Sequence, residues 1–251
     1  EGAPPLPAIN VEPHEGGVLL WVHSPSVAER VSIGTTLDLW LRERAEAHCL
    51  GDKWIPLIPE PLRKACEFKI DQKNEAISVG LKINSDGEIT DWNFALSTIK
   101  PKAVVTPKIL RAISERKPRS RTIPLALKEI KEYLDQIKTI IFTAQLLDKK
   151  ESSCGEIHLD LPTPEINNLG DLIYPDPSTT QQRWNLPINL TDPQSLLSPL
   201  IRAANQAYYQ HINRMDINGI YLESNEIDSA TINEVAKAAL AVDLELQLND
   251  D

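Results

Sequence analysis

A segment of alternating residues, followed by a turn and a second extended segment, constrains the fold more than any other feature of the sequence. From Ala76 to Ile83 apolar residues alternate with small or polar ones, which is typical of a strand with one buried face. The triplet at 85–87 is Ser-Asp-Gly, a turn former, and Glu88 to Ile99 can return beside the first strand. The sequence therefore predicts a β-hairpin over residues 76–99.

Several further elements are predicted around this hairpin. Val18 to Val22 is a compact apolar run typical of a buried strand, and residues 1–16 form an extended entry segment. Thr36 is a plausible cap for an amphipathic helix that contains Leu37, Leu41 and Ala45. The remaining predictions are an extended stretch over 55–61, helices over 107–116, 196–208 and 230–248, and short strands over 156–161 and 219–223.

A heptad-like stripe gives the clearest helix prediction, over residues 123–147. Its apolar members are Ile123, Leu127, Ile130, Leu134, Ile137, Ile141 and Ala144. Spacings of three and four place them on one helix face, which favours core packing over a zipper that binds a partner. Because strands and helices mix without a regular βαβ alternation, we predict an α+β fold. The sequence shows no internal repeat, and its 251 residues are taken as a single domain.

Charge is unevenly distributed along the chain. The net charge is -10, yet residues 100–150 contain 13 basic and 5 acidic residues, whereas residues 151–251 contain 4 basic and 16 acidic ones. The densest basic run is Arg116-Lys117-Pro118-Arg119-Ser120-Arg121. A polyanion would be attracted to this middle part of the chain. The alternative is that the run is a solvated connector between helices.

Common catalytic motifs are missing from the sequence. The five histidines never occur in zinc-binding spacing, the three cysteines are widely separated, and neither a Gly-x-Ser-x-Gly nor a Walker motif is present. Carboxylates cluster at Asp86, Glu88 and Asp91 and again at 223–228. Turn formation explains the first cluster and helix capping the second at least as well as metal binding does. No metal ligand and no catalytic residue is therefore assigned.

Trp40 and Trp54 flank a basic helix that carries Arg42 and Arg44. Aromatic rings beside cations are suited to stacking on the bases of single-stranded nucleic acid. Burial in the core is the commoner fate of tryptophan and stays open as the alternative.

Motifs over residues 18–107 resemble those of a known family. They are Trp21-Val22-His23-Ser24-Pro25-Ser26, Gly34-Thr35-Thr36-Leu37-Asp38, Ile55-Pro56-Leu57-Ile58-Pro59-Glu60-Pro61-Leu62, Cys66, and Ser97-Thr98-Ile99 after the predicted hairpin. In this order and spacing the chain resembles the RNB domain of the ribonuclease II and ribonuclease R family of 3′-to-5′ exoribonucleases. Gly155-Glu156-Ile157 and Ala203-Ala204-Asn205 resemble later segments of that family less specifically.

The resemblance implies an RNB-like mixed sheet with surrounding helices. Residues 17–107 match best, residues 1–16 are the entry segment, and 108–251 form a helical and mixed part. Catalytic aspartates that hold magnesium for phosphodiester hydrolysis should lie just upstream of the Val22-His23 strand. The twenty residues before Trp21 contain no aspartate, however, and Ser26 stands where the family has an aspartate. The base-stacking tyrosine of the family falls at Cys49, and the stretch with the catalytic arginine is missing.

Two functions from different classes follow from these departures. The first is a catalytically degenerate domain of RNA 3′-end metabolism that binds single-stranded RNA or a protein partner. The second is an active exoribonuclease with catalytic acids outside this segment, and only this alternative requires Mg²⁺. A scaffold that keeps the fold for assembly is a third option. Because the chain begins with Glu1 instead of Met, we expect it to be a segment or a processed form.

The candidate RNA contacts are Arg42, Arg44, Lys53, Trp54, Arg116, Lys117, Arg119 and Arg121. Nothing in the sequence favours DNA over RNA. No apolar stretch approaches the roughly 18 residues of a membrane span, so no membrane association is predicted. The odd, scattered cysteines lead us to expect a reducing cytoplasm.

Overall fold

The fold is given by a computed structural model that describes residues 4–50, 53–116, 124–154, 188–220 and 228–241, without the side chains of 49, 50, 53 and 54. The chain divides into two compact units, Glu1–Tyr208 and Tyr209–Asp251. The first unit contains all of the strands given below. The expectation of one domain over 1–251 stays a prediction.

A four-stranded sheet forms the centre of the first unit. Its strands are β1 (Ala8–His14), β2 (Gly17–Pro25), β5 (Asn74–Asn84) and β6 (Ile89–Ile99), in the order β1-β2-β5-β6. A separate two-stranded ribbon pairs β3 (His48–Leu50) with β4 (Lys53–Ile55). All of these pairs are antiparallel. Together with the helices given below, this sheet confirms the predicted α+β fold.

Both sequence-predicted extended segments at the start of the chain join this sheet. β1 arises from the entry segment, because the turn before Gly17 lets Ala8–His14 pair with residues 17–23 of β2. The predicted hairpin is confirmed as β5 and β6, joined at Gly87 with a φ of 83° that favours glycine. Asn84 Oδ1 accepts hydrogen bonds from the backbone N–H groups of Asp86 and Glu88, which closes the turn.

Seven helices lie within the described residues. They are α1 (Thr36–Arg44), α2 (Glu60–Cys66), α3 (Pro107–Ser114), α4 (Leu125–Lys128), α5 (Leu134–Ser153), α6 (Pro193–Arg214) and α7 (Ser229–Ala241). The predictions of α1, α3, α6 and α7 are confirmed over the residues that are described. None of the helices in the described part of the chain has the length and apolar character needed to cross a membrane.

Two predictions at the starts of helices are wrong in detail. Thr35, not Thr36, caps α1, because the Thr35 side chain accepts a hydrogen bond from Asp38 N–H while its own backbone is extended. The stretch over 55–61 was expected to stay extended, yet α2 starts at Glu60. Pro61 occupies the first turn of α2, where the missing N–H costs no hydrogen bond.

The predicted helix over 123–147 is interrupted. α4 ends at Lys128, a 3-10 turn spans Lys131–Tyr133, and α5 then runs from Leu134. Most of the apolar stripe is nevertheless buried, at Leu127, Ile130, Leu134, Ile137 and Ala144, which agrees with core packing. The strand predicted over 156–161 lies outside the described residues. Of the strand predicted over 219–223 only 219 and 220 are described, and they are not extended in a sheet.

One face of the sheet packs on α5 and α6 and forms the main core. β2 and β5 contribute the fully buried Leu20 and Leu81 to this face, and α6 contributes Leu200. Residues on a strand alternate between faces, so the neighbouring residues of β2 point to the opposite side. There the ring of Trp21 covers Gly80, where an added Cβ would lie 2.8 Å from the indole.

Candidate functional site

A cavity of about 300 Å³ lies where the core face of the sheet meets α6. Val22, Val79 and Phe94 line it from three neighbouring strands, and Ile201, Ala204 and Tyr208 line it from the helix. The helix residues are three or four apart, so that they share one helix face. The rings of Phe94 and Tyr208 are inclined by 75° with their centroids 6.4 Å apart.

The segment that precedes β1 closes the cavity with two prolines. Pro5 and Pro7 are both among its lining residues. The resemblance places the catalytic acids of the family among the residues before Trp21, a segment that includes both prolines. Proline contributes neither a charge nor a backbone N–H. The wall of the cavity at this position is therefore apolar.

The polar residues of the lining include Ser24, at the end of β2, and Asn205 on α6. Both residues are exposed at its rim, and neither side chain has a hydrogen-bond partner among the described residues. The amide of Asn205 offers donors and an acceptor, and the hydroxyl of Ser24 can act as either. The described residues that line the cavity include no charged side chain.

The magnesium that the resemblance implies does not fit the described residues. Mg²⁺ in proteins is held by oxygen ligands that include carboxylates. No three Asp, Glu, His or Cys side chains converge within the described ranges. Before β2 the described acids are Glu12 and Glu15, both exposed, and Glu12 accepts a hydrogen bond from Asn10 instead.

The carboxylate cluster at the hairpin has ion-pair partners. Glu88 Oε1 lies 2.9 Å from Lys150 Nζ, and this hydrogen bond lowers the pKa of Glu88. Asp91 Oδ2 lies 2.8 Å from Lys82 Nζ across the two strands. In the second cluster Asp228 caps α7 by accepting from Thr231 N–H, while 223 and 226 lie outside the described residues. The turn and capping interpretations account for these described acids.

The arginines of α1 each contact a neighbour on the same helix. Arg42 Nε lies 3.0 Å from Asp38 Oδ1, and the guanidinium of Arg44 lies 5.2 Å from the centroid of the Trp40 ring. The pKa of Asp38 is lowered, chiefly because its carboxylate accepts a hydrogen bond from the Gly34 N–H and secondly because it accepts one from Arg42. Since residues two apart on a helix do not face each other, Arg42 and Arg44 are not brought together.

The other predicted RNA contacts are only partly described. Lys53 and Trp54 pair with Leu50 and Cys49 in the ribbon, and their side chains are not described. Arg116 follows α3, where its backbone N–H donates to the Ile113 carbonyl. Lys117, Arg119 and Arg121 lie outside the described residues. These assignments stay predictions.

Trp40 is 39% exposed, so the expectation of core burial does not hold for it. No residue of α1 is buried, and Leu39 is also exposed. The helix therefore presents an aromatic ring and cations to solvent together. A flat guanidinium beside an indole is a surface on which an unpaired base can stack.

A row of hydrogen-bonded side chains crosses the opposite face of the sheet. His23 Nδ1 lies 2.6 Å from Ser78 Oγ, which in turn contacts Ser97 Oγ. His23 also stacks parallel to Trp21, and burial lowers its pKa. Ser78 is only 1% exposed, so its hydroxyl is not accessible as a nucleophile. These hydrogen bonds satisfy the buried polar groups of the three side chains.

The cavity residues were missed by the sequence reasoning because they come from distant parts of the chain. Pro5, Phe94 and Tyr208 belong to the entry segment, β6 and α6. Two parts of the lining carried a sequence signal: Val22, Ser24 and Pro25 belong to the motif over 21–26, and Ala204 and Asn205 to the weaker match at 203–205. The lack of aspartates before Trp21, in contrast, is visible in the sequence itself.

Comparisons with known proteins agree with the motif pattern. The family model described as RNB domain matches residues 5–251. Ribonuclease R of Chlamydia muridarum is 25% identical over 232 residues, which is 90% of this chain and 30% of that protein. The chain thus spans about a third of the length of this relative.

Solved structures share the fold at low identity. Mycoplasma genitalium RNase R in complex with ribose-methylated single-stranded RNA has a TM-score of 0.75 and 15% identity, and the match covers 98% of this chain and 36% of that one. Yeast Ssd1, a pseudonuclease, has a TM-score of 0.52 and 16% identity, covering 80% of this chain and 22% of that one. The arrangement of sheet and helices is therefore one found in both a ribonuclease and a pseudonuclease.

Proposed function

The chain belongs to the RNB domain family, and from this premise we propose that it binds single-stranded RNA without hydrolysing it. One observation carries the proposal: the resemblance places catalytic acids among the residues before Trp21, yet this segment contains no aspartate and contributes Pro5 and Pro7 to the cavity lining. A metal ion contributes several kcal/mol to neutralising the charge of the reacting phosphate. Each ~1.4 kcal/mol is about tenfold in rate, so a site without metal ligands would be slower by orders of magnitude.

Loss of the metal ligands is compatible with the fold. Acids that surround a metal serve the chemistry, while the core of this domain is made of buried aliphatic residues such as Leu20, Leu81 and Leu200. The packing of these aliphatic side chains does not depend on any charge. The fold of yeast Ssd1, a pseudonuclease, gives a precedent for an RNB-like domain of this kind.

Two basic surfaces are the proposed contacts for RNA. The first is α1, where Arg44 and Trp40 form a stacked pair at the surface. The second is the segment over 100–121, which includes Arg116, Lys117, Arg119 and Arg121. Phosphate contacts by such cations release counterions, so binding should weaken as salt rises. Lys53 and Trp54, in the ribbon, complete the proposed set.

The experiment is fluorescence anisotropy of a 5′-labelled oligouridylate, titrated with protein between about 50 and 200 mM salt. We expect measurable affinity at low salt and a linear fall of log affinity with log salt. Replacing Lys117, Arg119 and Arg121 by Gln should weaken binding and reduce the slope by about 0.7 for each phosphate that the variant no longer neutralises. Arg44→Gln should weaken binding as well.

Lys64→Gln is the matched control for these substitutions. Lys64 is an exposed cation of α2 that pairs with Glu60, outside both proposed surfaces. Its removal should leave the affinity unchanged. No binding by the wild-type chain at low salt would overturn the proposal, as would an equal loss of affinity in Lys64→Gln and Arg44→Gln.

A second candidate is a magnesium-dependent 3′-to-5′ exoribonuclease with acids supplied by residues outside this segment. The observation that favours it is that the chain spans only 30% of a relative named Ribonuclease R. The test is incubation of the full-length protein with 3′-tailed RNA and Mg²⁺. Progressive shortening of the RNA would support this candidate against the first one, and intact RNA at high enzyme concentration would exclude it.

A further inference from the structure

Two segments that are distant along the chain meet at Asp71, on the surface of the first unit. The backbone N–H of Asp71 donates to the Pro101 carbonyl at 2.9 Å, although Asp71 precedes β5 and Pro101 follows β6. The Asn74 side chain closes the turn that contains Asp71, because it hydrogen-bonds to backbone groups within residues 69–72. The fold therefore holds this turn beside residues 100–102.

Four lysines and one aspartate lie in the turn and in the segment beside it. The ammonium groups of Lys102 and Lys100 lie 2.9 and 3.9 Å from the same carboxylate oxygen of Asp71. Lys69 and Lys73, two residues to either side of Asp71, are exposed and have no ion-pair partner among the described residues. These five residues, called here the Asp71 patch, carry an excess of positive charge.

The neighbouring acids do not cancel this charge. Glu67 lies 3.6 Å from Arg63 and Glu75 lies 3.8 Å from Arg30, so that each has an arginine partner. The Asp71 side chain is 64% exposed, and solvent screens such surface ion pairs so that they contribute little to stability. A phosphate could therefore replace the Asp71 carboxylate as the partner of the two lysines at small cost.

The chemistry of the Asp71 patch favours the backbone of RNA as its ligand. A lysine ammonium acts as a point charge that contacts phosphates without requiring a fixed planar geometry. Lys100 and Lys102 also begin the basic segment over 100–121, which is already proposed to contact RNA. The turn before β5 thus extends that surface with cations from another part of the chain.

We propose that the Asp71 patch binds phosphates of single-stranded RNA through Lys69 and Lys73 together with Lys100 and Lys102. The inference rests on the proposed RNA binding. It adds a contact surface from the turn before β5, which no basic run in the sequence indicates. Because contacts with phosphates carry no sequence information, binding by the patch should not depend on the bases of the RNA.

The test is the same salt titration with the 5′-labelled oligouridylate. The double variant Lys69→Gln, Lys73→Gln should bind about tenfold more weakly at about 100 mM salt, and its slope should fall by about 1.4, which is about 0.7 for each lost phosphate contact. An oligoadenylate should show the same loss. Asp71→Asn should bind RNA several-fold more tightly, because the carboxylate that competes with phosphate is removed.

Two matched controls reproduce these changes in net charge elsewhere. The double variant Lys64→Gln, Lys138→Gln removes two lysines from ion pairs on α2 and α5, and Asp135→Asn removes an exposed acid of α5. Both controls should bind RNA as the wild type does. Since misfolding does not tighten binding, Asp71→Asn decides the question even if the lysine variant is unstable.

The possible failures can be told apart. If Arg44→Gln weakens binding while the patch variants behave like their controls, the Asp71 patch is wrong and the proposed function stands. If no RNA binds at low salt, the proposed function fails and the patch with it. Polyglutamate that binds more tightly than RNA, and that loses affinity in the Lys69→Gln, Lys73→Gln variant, would assign the patch to an acidic protein and overturn the proposal.

Discussion

Two buried serines, Ser26 just after β2 and Ser78 in β5, differ in the hydrogen bonds of their hydroxyl groups. Ser26 Oγ is buried without a partner among the described residues, whereas Ser78 Oγ contacts both His23 and Ser97. An unsatisfied buried polar group costs about 1–3 kcal/mol. By the resemblance, Ser26 also stands where the family has an aspartate. A charged carboxylate would be destabilised at this buried position, because no described residue offers it a partner.

Ser26→Ala should raise the free energy of unfolding by about 1 kcal/mol, because it removes this unsatisfied hydroxyl. Ser78→Ala should lower it by about 1–2 kcal/mol, because His23 and Ser97 then lose their common partner. Urea denaturation of the two variants and the wild type measures both changes. Destabilisation by Ser26→Ala would contradict the assignment of an unpartnered hydroxyl.

His23 makes stability depend on pH. Burial lowers the pKa of His23 below its ordinary value of 6.5, so the unfolded chain binds more protons than the folded one as the pH falls through that value. The free energy of unfolding should therefore be highest above about pH 7 and should decrease towards about pH 5.5.

His23→Gln should flatten this part of the pH profile in urea denaturation. The lowered carboxyl pKa values, such as that of Glu60 at about 2, act at lower pH and do not interfere. His48→Gln serves as the control, since the His48 side chain is 50% exposed. An unchanged slope in His23→Gln would show that another group titrates in this range.

The interrupted helix around Ile130 illustrates how far periodicity can predict an element. The apolar stripe correctly predicted that Leu127, Ile130 and Leu134 are buried. Spacings of three and four are satisfied by α-helical and by 3-10 turns, so that the same buried stripe can be carried by a broken backbone. The stripe thus predicted the packing of this segment but not its hydrogen bonds.

The start of the short helix α2 also could not be predicted from the sequence. Helix α2 begins within a proline-rich stretch that favours extended backbone at each residue before a proline, and the sequence alone gives no signal for where that preference ends. The hairpin over β5 and β6, in contrast, was predicted almost to the residue. Its alternation, its turn and its partner strand are all local and point to one structure.

Helices α5 and α6 are joined by an ion pair that should contribute to stability. The guanidinium of Arg202 contacts both carboxylate oxygens of Glu151, and the Glu151 side chain is only 16% exposed. Glu151→Gln should lower the free energy of unfolding by about 1–3 kcal/mol, since a half-buried cation loses its charged partner.

The matched control is Asp135→Asn, which breaks the pair of Asp135 with Lys138 on the surface of α5. The Asp135 side chain is 95% exposed, and solvent screens such surface pairs so that they contribute little to stability. Thermal and urea unfolding of both variants provide the measurement. Equal effects of the two substitutions would mean that Glu151 is solvated like a surface residue.

At the scale of the whole molecule, the lack of converging acids predicts how the melting temperature responds to metal ions. Any ligand that binds only the folded state raises its stability by mass action. Because the described residues offer no converging acids, Mg²⁺ should leave the melting temperature unchanged relative to NaCl of the same ionic strength. A rise that is specific to Mg²⁺ or Mn²⁺ would contradict the degenerate site.

The cavity could not be predicted from the sequence, although the loss of the acids could. A motif read along the chain shows that aspartates are missing before Trp21. What replaces them depends on which residues the fold brings there, and Pro7, Phe94 and Tyr208 meet only through the packing of α6 on the sheet. Long-range packing of this kind leaves no local pattern.

The order of the central strands has a consequence for synthesis of the chain. β2 lies beside β5, yet residues 26–73 separate the two strands along the polypeptide. Each outer hairpin can form from neighbouring residues, whereas joining them requires closure of a long loop, which slows folding. A growing polypeptide on the ribosome would therefore carry β2 with an open edge until β5 emerges. During that interval the nascent chain is most exposed to aggregation and most in need of a chaperone.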